Sequence, residues 1–296
     1  MNAGGLYSDL LYACQNKIFF RLIANRYDAP QQRYGRIVVI SQIISGFAVG
    51  AVVGLTGVGG GSLMTPLLVL LFGIAPGTAV GTDLLYAAIT KSGGTLIHAR
   101  RGNVDWRIAG LLAAGSIPAA ATTLFLAAHF APQGLGGGAR VITVSLGVAL
   151  LLTAFALVLR RRALAWSQSR GLDALPARRR AWLTALTGAA LGALVSLSSV
   201  GAGALGVTAL FFLYPRQPAV RVVGSDLAHA VPLTLVAGLG HWWLGSVDWN
   251  LLLTLLIGSL PGIAVGSHLA ARVPERLLRR TLAGMLVVAG GKLIAA

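Results

Sequence analysis

The chain has 296 residues, of which 56% are hydrophobic and only 11% charged, with a formal net charge of +16. An average soluble domain carries roughly 25% charged residues, so this composition excludes an ordinary soluble fold. The basic residues sit between apolar runs, as in Arg160-Arg-Arg162 and Arg178-Arg-Arg180, which reads as loop topology and contact with anionic lipid and excludes a nucleic-acid surface.

Residues 1–36 read as an N-terminal cytoplasmic tail. Lys17, Arg21, Arg26, Arg33 and Arg36 run through it, and no small-residue cleavage pattern follows an apolar core, so it is no cleavable signal peptide. Leu10–Ile23 is compatible with an interfacial helix. The lone Cys14 excludes an internal disulfide framework and a multi-cysteine metal site, and no cofactor is expected.

Residues 37–159 form a first transmembrane repeat. A span at Ile37–Thr56 is followed by a glycine break, Gly57-Val-Gly-Gly-Gly61-Ser62, and a short apolar piece, Leu63–Phe72. At about 1.5 Å per residue that piece covers half a membrane. Three further spans follow at Gly77–Ala99, Trp106–Ala131 and Val141–Leu159. Residues 160–180 read as a basic cytoplasmic linker. Residues 181–296 repeat the plan: Ala181–Leu197, the break Ser198-Ser-Val-Gly201-Ala-Gly203, the piece Ala204–Tyr214, then Ala219–Trp243, Trp249–Ala270 and Leu277–Ala295. Each long run is near the ~20 residues that cross a bilayer as a helix. None alternates polar and apolar residues as a barrel strand does. The expected class is all-α and polytopic, with about eight transmembrane helices in two tandem homologous halves and glycine-broken or re-entrant helices.

The duplication is explicit in the sequence. His98–Trp106 recurs as His241–Trp249, sharing His, Gly, Val, Asp and Trp. Gly115-Ser-Ile-Pro118 recurs as Gly258-Ser-Leu-Pro261, and Gly81-Thr-Asp83-Leu84 as Gly224-Ser-Asp226-Leu227. Repeats of this size are half-domains of a transporter rather than solenoid units. With the tail, the Arg100/Arg101 turn and the linker all cytoplasmic, each half crosses an even number of times. The second half then runs parallel to the first, with Arg216, Arg221 and the Arg272–Arg280 cluster outside. An odd count would bring those arginines inside.

Three features carry candidate chemistry. At the glycine breaks a new helix begins, and helix N-termini offer free N–H groups and partial positive charge to an anion. Gly59, Gly60, Gly61, Ser62, Thr65, Gly201 and Gly203 are the candidates there, with Ser198, Ser199 and Thr208 as further donors; close helix packing through small residues is the competing reading. The second feature is charge within spans: Asp83 and Lys91 in one, Asp226 and His229 in its repeat partner. Ionisable groups in a bilayer are costly and usually face a pathway. Lys91 supplies charge to an anion, and Asp83, Asp226 and His229 are candidate proton carriers, unless the two aspartates merely cap their helices. The third is the repeated corner, where Asp105 and Asp248 read as N-caps and the tryptophans as interfacial anchors. His98 and His241 remain weak candidates for a metal or a substrate, and Pro118 and Pro261 read as kinks or breaks.

The string Gly57-x-Gly-Gly-Gly-Ser-Leu-x-x-Pro66, then Ala79-Val-Gly-Thr82, then Arg100-Arg-Gly-Asn-Val-Asp-Trp106, resembles the TauE/SafE sulfite-exporter family over about Gly46–Leu293. The resemblance implies a duplicated inner- or plasma-membrane protein carrying sulfite, sulfonates or related anions, coupled to the proton gradient. Two features depart from the family pattern. Asp83 and Asp226 stand where the family usually has Ser, and the second glycine break is degraded. The resulting expectation is a secondary transporter whose small anionic substrate sits between the broken helices, held also by Thr82 and Ser225. Bilayer lipid is the other expected partner, nucleic acid is excluded, and homo-oligomerisation stays open. A cation or metal carrier using Asp83, Asp226 and His229, and a non-transporting scaffold, are the rival readings.

Overall fold

The computed structural model describes residues 38–55, 61–130, 139–169, 176–269 and 275–295, with backbone alone at 61, 62, 130, 139, 160–169 and 275–279. Among the described residues there are ten helices and no strands: α1 Val38–Leu55, α2 Gly61–Leu70, α3 Pro76–Arg100, α4 Trp106–Phe130, α5 Ala139–Ser169, α6 Ala177–Ser198, α7 Ala204–Leu213, α8 Ala219–Trp243, α9 Trp249–Leu269 and α10 Glu275–Ala295. Six of them (α1, α4, α5, α6, α8 and α9) are long and apolar enough to cross a membrane. Helix α3 has the length, at 25 residues, but carries Asp83 and Lys91 in its apolar run, and α10 opens on Glu275 and Arg276. The protein is a polytopic helical membrane protein. Its outward faces are apolar, with Leu71, Phe125, Phe155, Val158, Trp182 and Leu186 exposed, as a lipid-facing surface requires.

The two repeats interlock. Helix α1 of the first packs on α9 of the second through Gly46, Gly50 and Gly54, where any Cβ would strike the backbone at Leu255, Ser259 and Ile263. The equivalent contact joins α6 to α4, with Gly188 on Leu112 and Gly192 on Ser116. In a bilayer, where lipid is as apolar as the side chains, such close backbone approach is what holds helices together. Helices α3 and α8 pair at the centre, and α5 pairs with α10 through Gly147 and Gly290.

These pairings fix direction. Along α3 and α8, Gly81 meets His241, Leu85 meets Gly238, Gly94 meets Leu227, and the His98 ring lies on Gly224. One number rises as the other falls, so the two repeat-equivalent helices are antiparallel. Helix α9 runs with α3, since Thr82 bonds Asp248, and α1 runs with α9. Helix α4 runs with α8, since Asp105 bonds Ser225 and Ser116 bonds His229. Helices α1 and α3 therefore point the same way, and the ten-residue α2 must return the chain between them.

This overturns the expectation of parallel halves. The short helix reverses the chain, so among the described residues each half makes five helical passages, an odd number, and the second half is inverted. The α3–α4 corner with Arg100 and Arg101, the α5–α6 connection, the α7–α8 loop with Arg216, and the start of α10 share one face. The start of α1, the α8–α9 corner and the end of α10 lie on the other. The start of α1 at Val38 thus lies on the face opposite the start of α6, and the tail at 1–36, expected beside the linker, lies outside the described residues. The expected linker is itself largely helical: α5 runs on to Ser169 and α6 begins at Ala177. The interfacial helix expected at Leu10–Ile23 lies outside the described residues.

The repeated corner is structural in both copies. Gly102 and Gly245 take φ of 68° and 69°, the left-handed geometry that ends a helix at glycine. Asn103 and Ser246 N–H groups bond back to His98 and His241 carbonyls, each at 2.9 Å. Asp105 Oδ1 then accepts from Arg107 and Ile108 N–H, and Asp248 Oδ1 from Leu251 N–H, so each aspartate caps the next helix. Trp242 and Trp249 meet edge to face at 5.9 Å. Helices α4 and α9 run through Pro118 and Pro261 without a break.

Candidate functional site

The second glycine break is the described part of the site. Helix α6 ends as Ser199 turns left-handed at φ 57°, and Gly201 and Gly203 follow at φ 117° and 127°. Both glycine values are open to glycine and strained for any other residue. The chain thereby bends sharply and restarts as α7 at Ala204. Around this bend gather the polar side chains that an apolar core would not otherwise admit.

Lys91 enters from the middle of α3 of the other half. It is buried, and its Nζ donates to the Ala202 carbonyl at 3.0 Å. Asp83, two turns earlier on α3 and fully buried, accepts a short hydrogen bond from Thr65 Oγ1 of α2 and faces Ser199 of the break. Asp226, on α8, is 1% exposed. Its carboxylate faces the Gly203 N–H at the start of α7 and packs so closely on Gly206 that a Cβ there would overlap Oδ1. Lys91 lies in electrostatic reach of both carboxylates. Each aspartate keeps one oxygen, Oδ1, without a hydrogen-bond partner.

The aspartates are not helix caps. Helices α3 and α8 begin at Pro76 and Ala219, with Ala75 and Pro218 before them and no side-chain cap bond. Asp83 and Asp226 lie two turns inside, so the capping alternative is overturned. The α7 N-terminus does receive an acidic group, as a helix start favours, and in this structure that group is the chain's own Asp226.

His229 lies one turn beyond Asp226. Its Nε2 is 2.9 Å from Ser116 Oγ on α4, and its Nδ1 has no partner. Its repeat equivalent is Tyr86, buried with its hydroxyl facing Ser259, which is the equivalent of Ser116. The two pairs occupy equivalent places but differ: the imidazole of His229 is hydrogen-bonded to its serine, while the Tyr86 hydroxyl has no hydrogen-bond partner. Lys91 is likewise matched by Thr234, whose hydroxyl bonds the Ala230 carbonyl of its own helix.

Other expected site residues are engaged elsewhere. Thr82 Oγ1 accepts from Asp248 N–H at 3.0 Å, and Ser225 Oγ accepts from Asp105 N–H at 2.8 Å. These two bonds are repeat equivalents that tie each half to the other's corner. Ser198 and Thr208 donate to carbonyls of their own helices, Leu194 and Ala204. His241 Nε2 reaches the Ser196 carbonyl at 2.8 Å. Gly59 and Gly60 lie outside the described residues; Gly61 and Ser62 open α2. Among the described residues no three His, Cys, Asp or Glu side chains converge as a metal site. Nothing local to the chain marks the Ala202 carbonyl or Gly206 as parts of the site. Ser116 and Ser259 were visible in the repeated Gly-Ser-x-Pro string, though not as partners of the rings on α8 and α3.

The geometry can now be set beside known proteins. The family model described as sulfite exporter TauE/SafE matches residues 42–293. The probable membrane transporter protein YjnA of Bacillus subtilis is 39% identical over 255 residues, covering 86% of this chain and 99% of that protein. A probable membrane transporter protein of Xylella fastidiosa is 31% identical over 256 residues, 85% of this chain and 92% of its own length. YdhB of Bacillus subtilis, another probable membrane transporter protein, is 27% identical over 82% of this chain and 95% of its own. No solved structure matches the chain.

Proposed function

The chain belongs to the sulfite exporter TauE/SafE family and is a multi-pass membrane transporter, and on that premise we propose that it moves a small sulfur-containing anion, sulfite or a sulfonate, coupled to protons across the inner (plasma) membrane. The observation that carries this reading is the buried set Asp83, Lys91 and Asp226 around the Ser199–Gly203 bend. An ammonium buried two-thirds of the way along α3 has no structural need that a leucine would not meet. It provides a positive field where an anion has shed its water, next to a helix start. The substrate is held by Lys91, Thr65 and the backbone N–H groups of both breaks (Gly59, Gly60, Gly61 with Ser62, and Gly201 with Gly203). Asp83, Asp226 and His229 carry the proton. Thr82 and Ser225 act by fixing α3 and α8 against the opposite corners.

Flux into proteoliposomes tests this directly. Purified protein should accumulate labelled sulfite or a labelled sulfonate when a pH gradient is imposed, and lose that drive when the gradient is collapsed. Absence of flux for both anions in either direction sinks the reading. A second reading is favoured by the two unpartnered carboxylate oxygens, Oδ1 of Asp83 and of Asp226, which suit a cation. Flux that depends on a metal ion or on sodium, and is indifferent to sulfite, would establish it instead.

A further inference from the structure

We infer that Asp226 is a tethered competitor of the transported anion: its carboxylate and the substrate exclude one another at the start of α7, and protonation of Asp226 opens the place. The inference rests on the anion-transport reading above and assigns the coupling to one residue and one position. Two independent observations support it. The carboxylate faces the Gly203 N–H and covers Gly206 at the start of α7, where the helix dipole favours an anion; the Leu205 and Gly206 N–H groups are already taken by the Gly201 carbonyl. Its Oδ1, fully enclosed, has no hydrogen-bond partner, so the aspartate is held there by a single polar contact and by the field of Lys91. A small oxyanion meets the same Gly203 N–H and the same Lys91 charge, and replaces that contact when the aspartate gives it up.

The halves are not alike in this respect. Asp83, the repeat equivalent, is bonded by Thr65 and faces Ser199, and is therefore tied where Asp226 is loose. The titratable group facing Asp226 is Lys91 from α3, which also faces Asp83 on its own helix and His229 one turn along α8. Helices α4, α6 and α7 carry titratable side chains only near their ends, at Arg107, His129 and Arg178–Arg180. No bond is made or broken except that of the proton: the carboxylate takes it up, turns neutral, and leaves the helix start to the arriving anion. One negative charge replaces another beside Lys91.

Calorimetry on the full chain in lipid nanodiscs tests the inference, with methanesulfonate as probe because it stays anionic throughout, and sulfite as a second. Affinity of the unaltered protein for methanesulfonate should weaken as pH rises, approaching about tenfold per pH unit, the limit for one proton taken up per anion bound. Asp226→Asn should bind with nearly constant affinity over the same range, tighter than the unaltered protein at alkaline pH. Its proton uptake on binding, read from buffers of different ionisation enthalpy, should fall from roughly one to none. Gly206→Ala, whose Cβ displaces the carboxylate without removing it, should flatten the profile as well, and serves if Asp226→Asn does not fold. If either folded variant keeps the slope and the proton uptake of the unaltered chain, the competition is refuted while anion transport stands. If the unaltered protein binds neither probe at any pH, the anion reading itself falls.

Discussion

Lys91 spends its one described hydrogen bond on a backbone carbonyl, Ala202, and leaves its charge to act at a distance on two carboxylates. A buried charge of this kind is tolerated only in company, because each partner removed leaves another uncompensated. Lys91→Met should therefore abolish transport and also cost stability, on the order of 3–5 kcal/mol, seen as a lower melting temperature in detergent. Combining it with Asp226→Asn should recover part of that loss, since the neutral pair leaves one fewer isolated charge. Additive losses in the double variant would show that the two residues do not interact. Thr82→Ala and Ser225→Ala should each cost about 1–3 kcal/mol, the penalty of leaving the Asp248 or Asp105 N–H without its acceptor. Their equality, measured by the same melts, is the check, because the two bonds are repeat equivalents. The charged residues of the site were legible in the sequence, as ionisable groups inside apolar runs. The roles of Thr82 and Ser225 were not: a hydroxyl near a glycine break looks like a ligand donor until the crossing of α3 and α8 shows what it touches.

Among the elements, the ladders of glycine on α1 and α6 set how close the repeats come. Gly50→Leu and Gly192→Leu put a side chain against the backbone of Ser259 and Ser116, and each should destabilise by about 1–3 kcal/mol or more. Gly110→Ala, on an open face of α4 where nothing lies near the added Cβ, should instead stabilise by about 0.5–1 kcal/mol. Thermal unfolding of the three variants side by side separates a packing role from mere helix flexibility. The long helices, the short α7 after its break and the capped corners were readable, since span length, glycine clusters and Asp before an apolar run are local signals. Helix direction was not. Counting the ten-residue α2 as half a crossing kept the parity even, whereas its packing between two parallel helices makes it a full reversal.

For the whole molecule, the inverted arrangement gathers Arg100, Arg101, Arg178–Arg180, Arg216, Arg221 and Arg280 on one face. The bias of basic residues toward the cytoplasm predicts that this face is the cytoplasmic one, with the start of α1 and Lys292 across the membrane from it. Single cysteines introduced at Arg101 and Arg216 in a Cys14→Ser background should be labelled from the same side. Cysteines at Gly73 and Gly245 should be labelled only from the other. Labelling of Arg101→Cys and Gly245→Cys from one side, with Arg216→Cys labelled only from the other, would restore the parallel arrangement.

Because α3 and α8 run antiparallel, exchanging the shapes of the two halves turns a conformation open to one side into one open to the other. Matched residues contribute equally to both and cannot favour either. The energy difference between the two facings therefore falls on the mismatched positions, which in the buried site include Lys91 against Thr234 and His229 against Tyr86. Exchanging either residue for its counterpart, Lys91→Thr or His229→Tyr, should shift the resting orientation of the carrier, read as a change in which side reaches a cysteine probe placed beside the site.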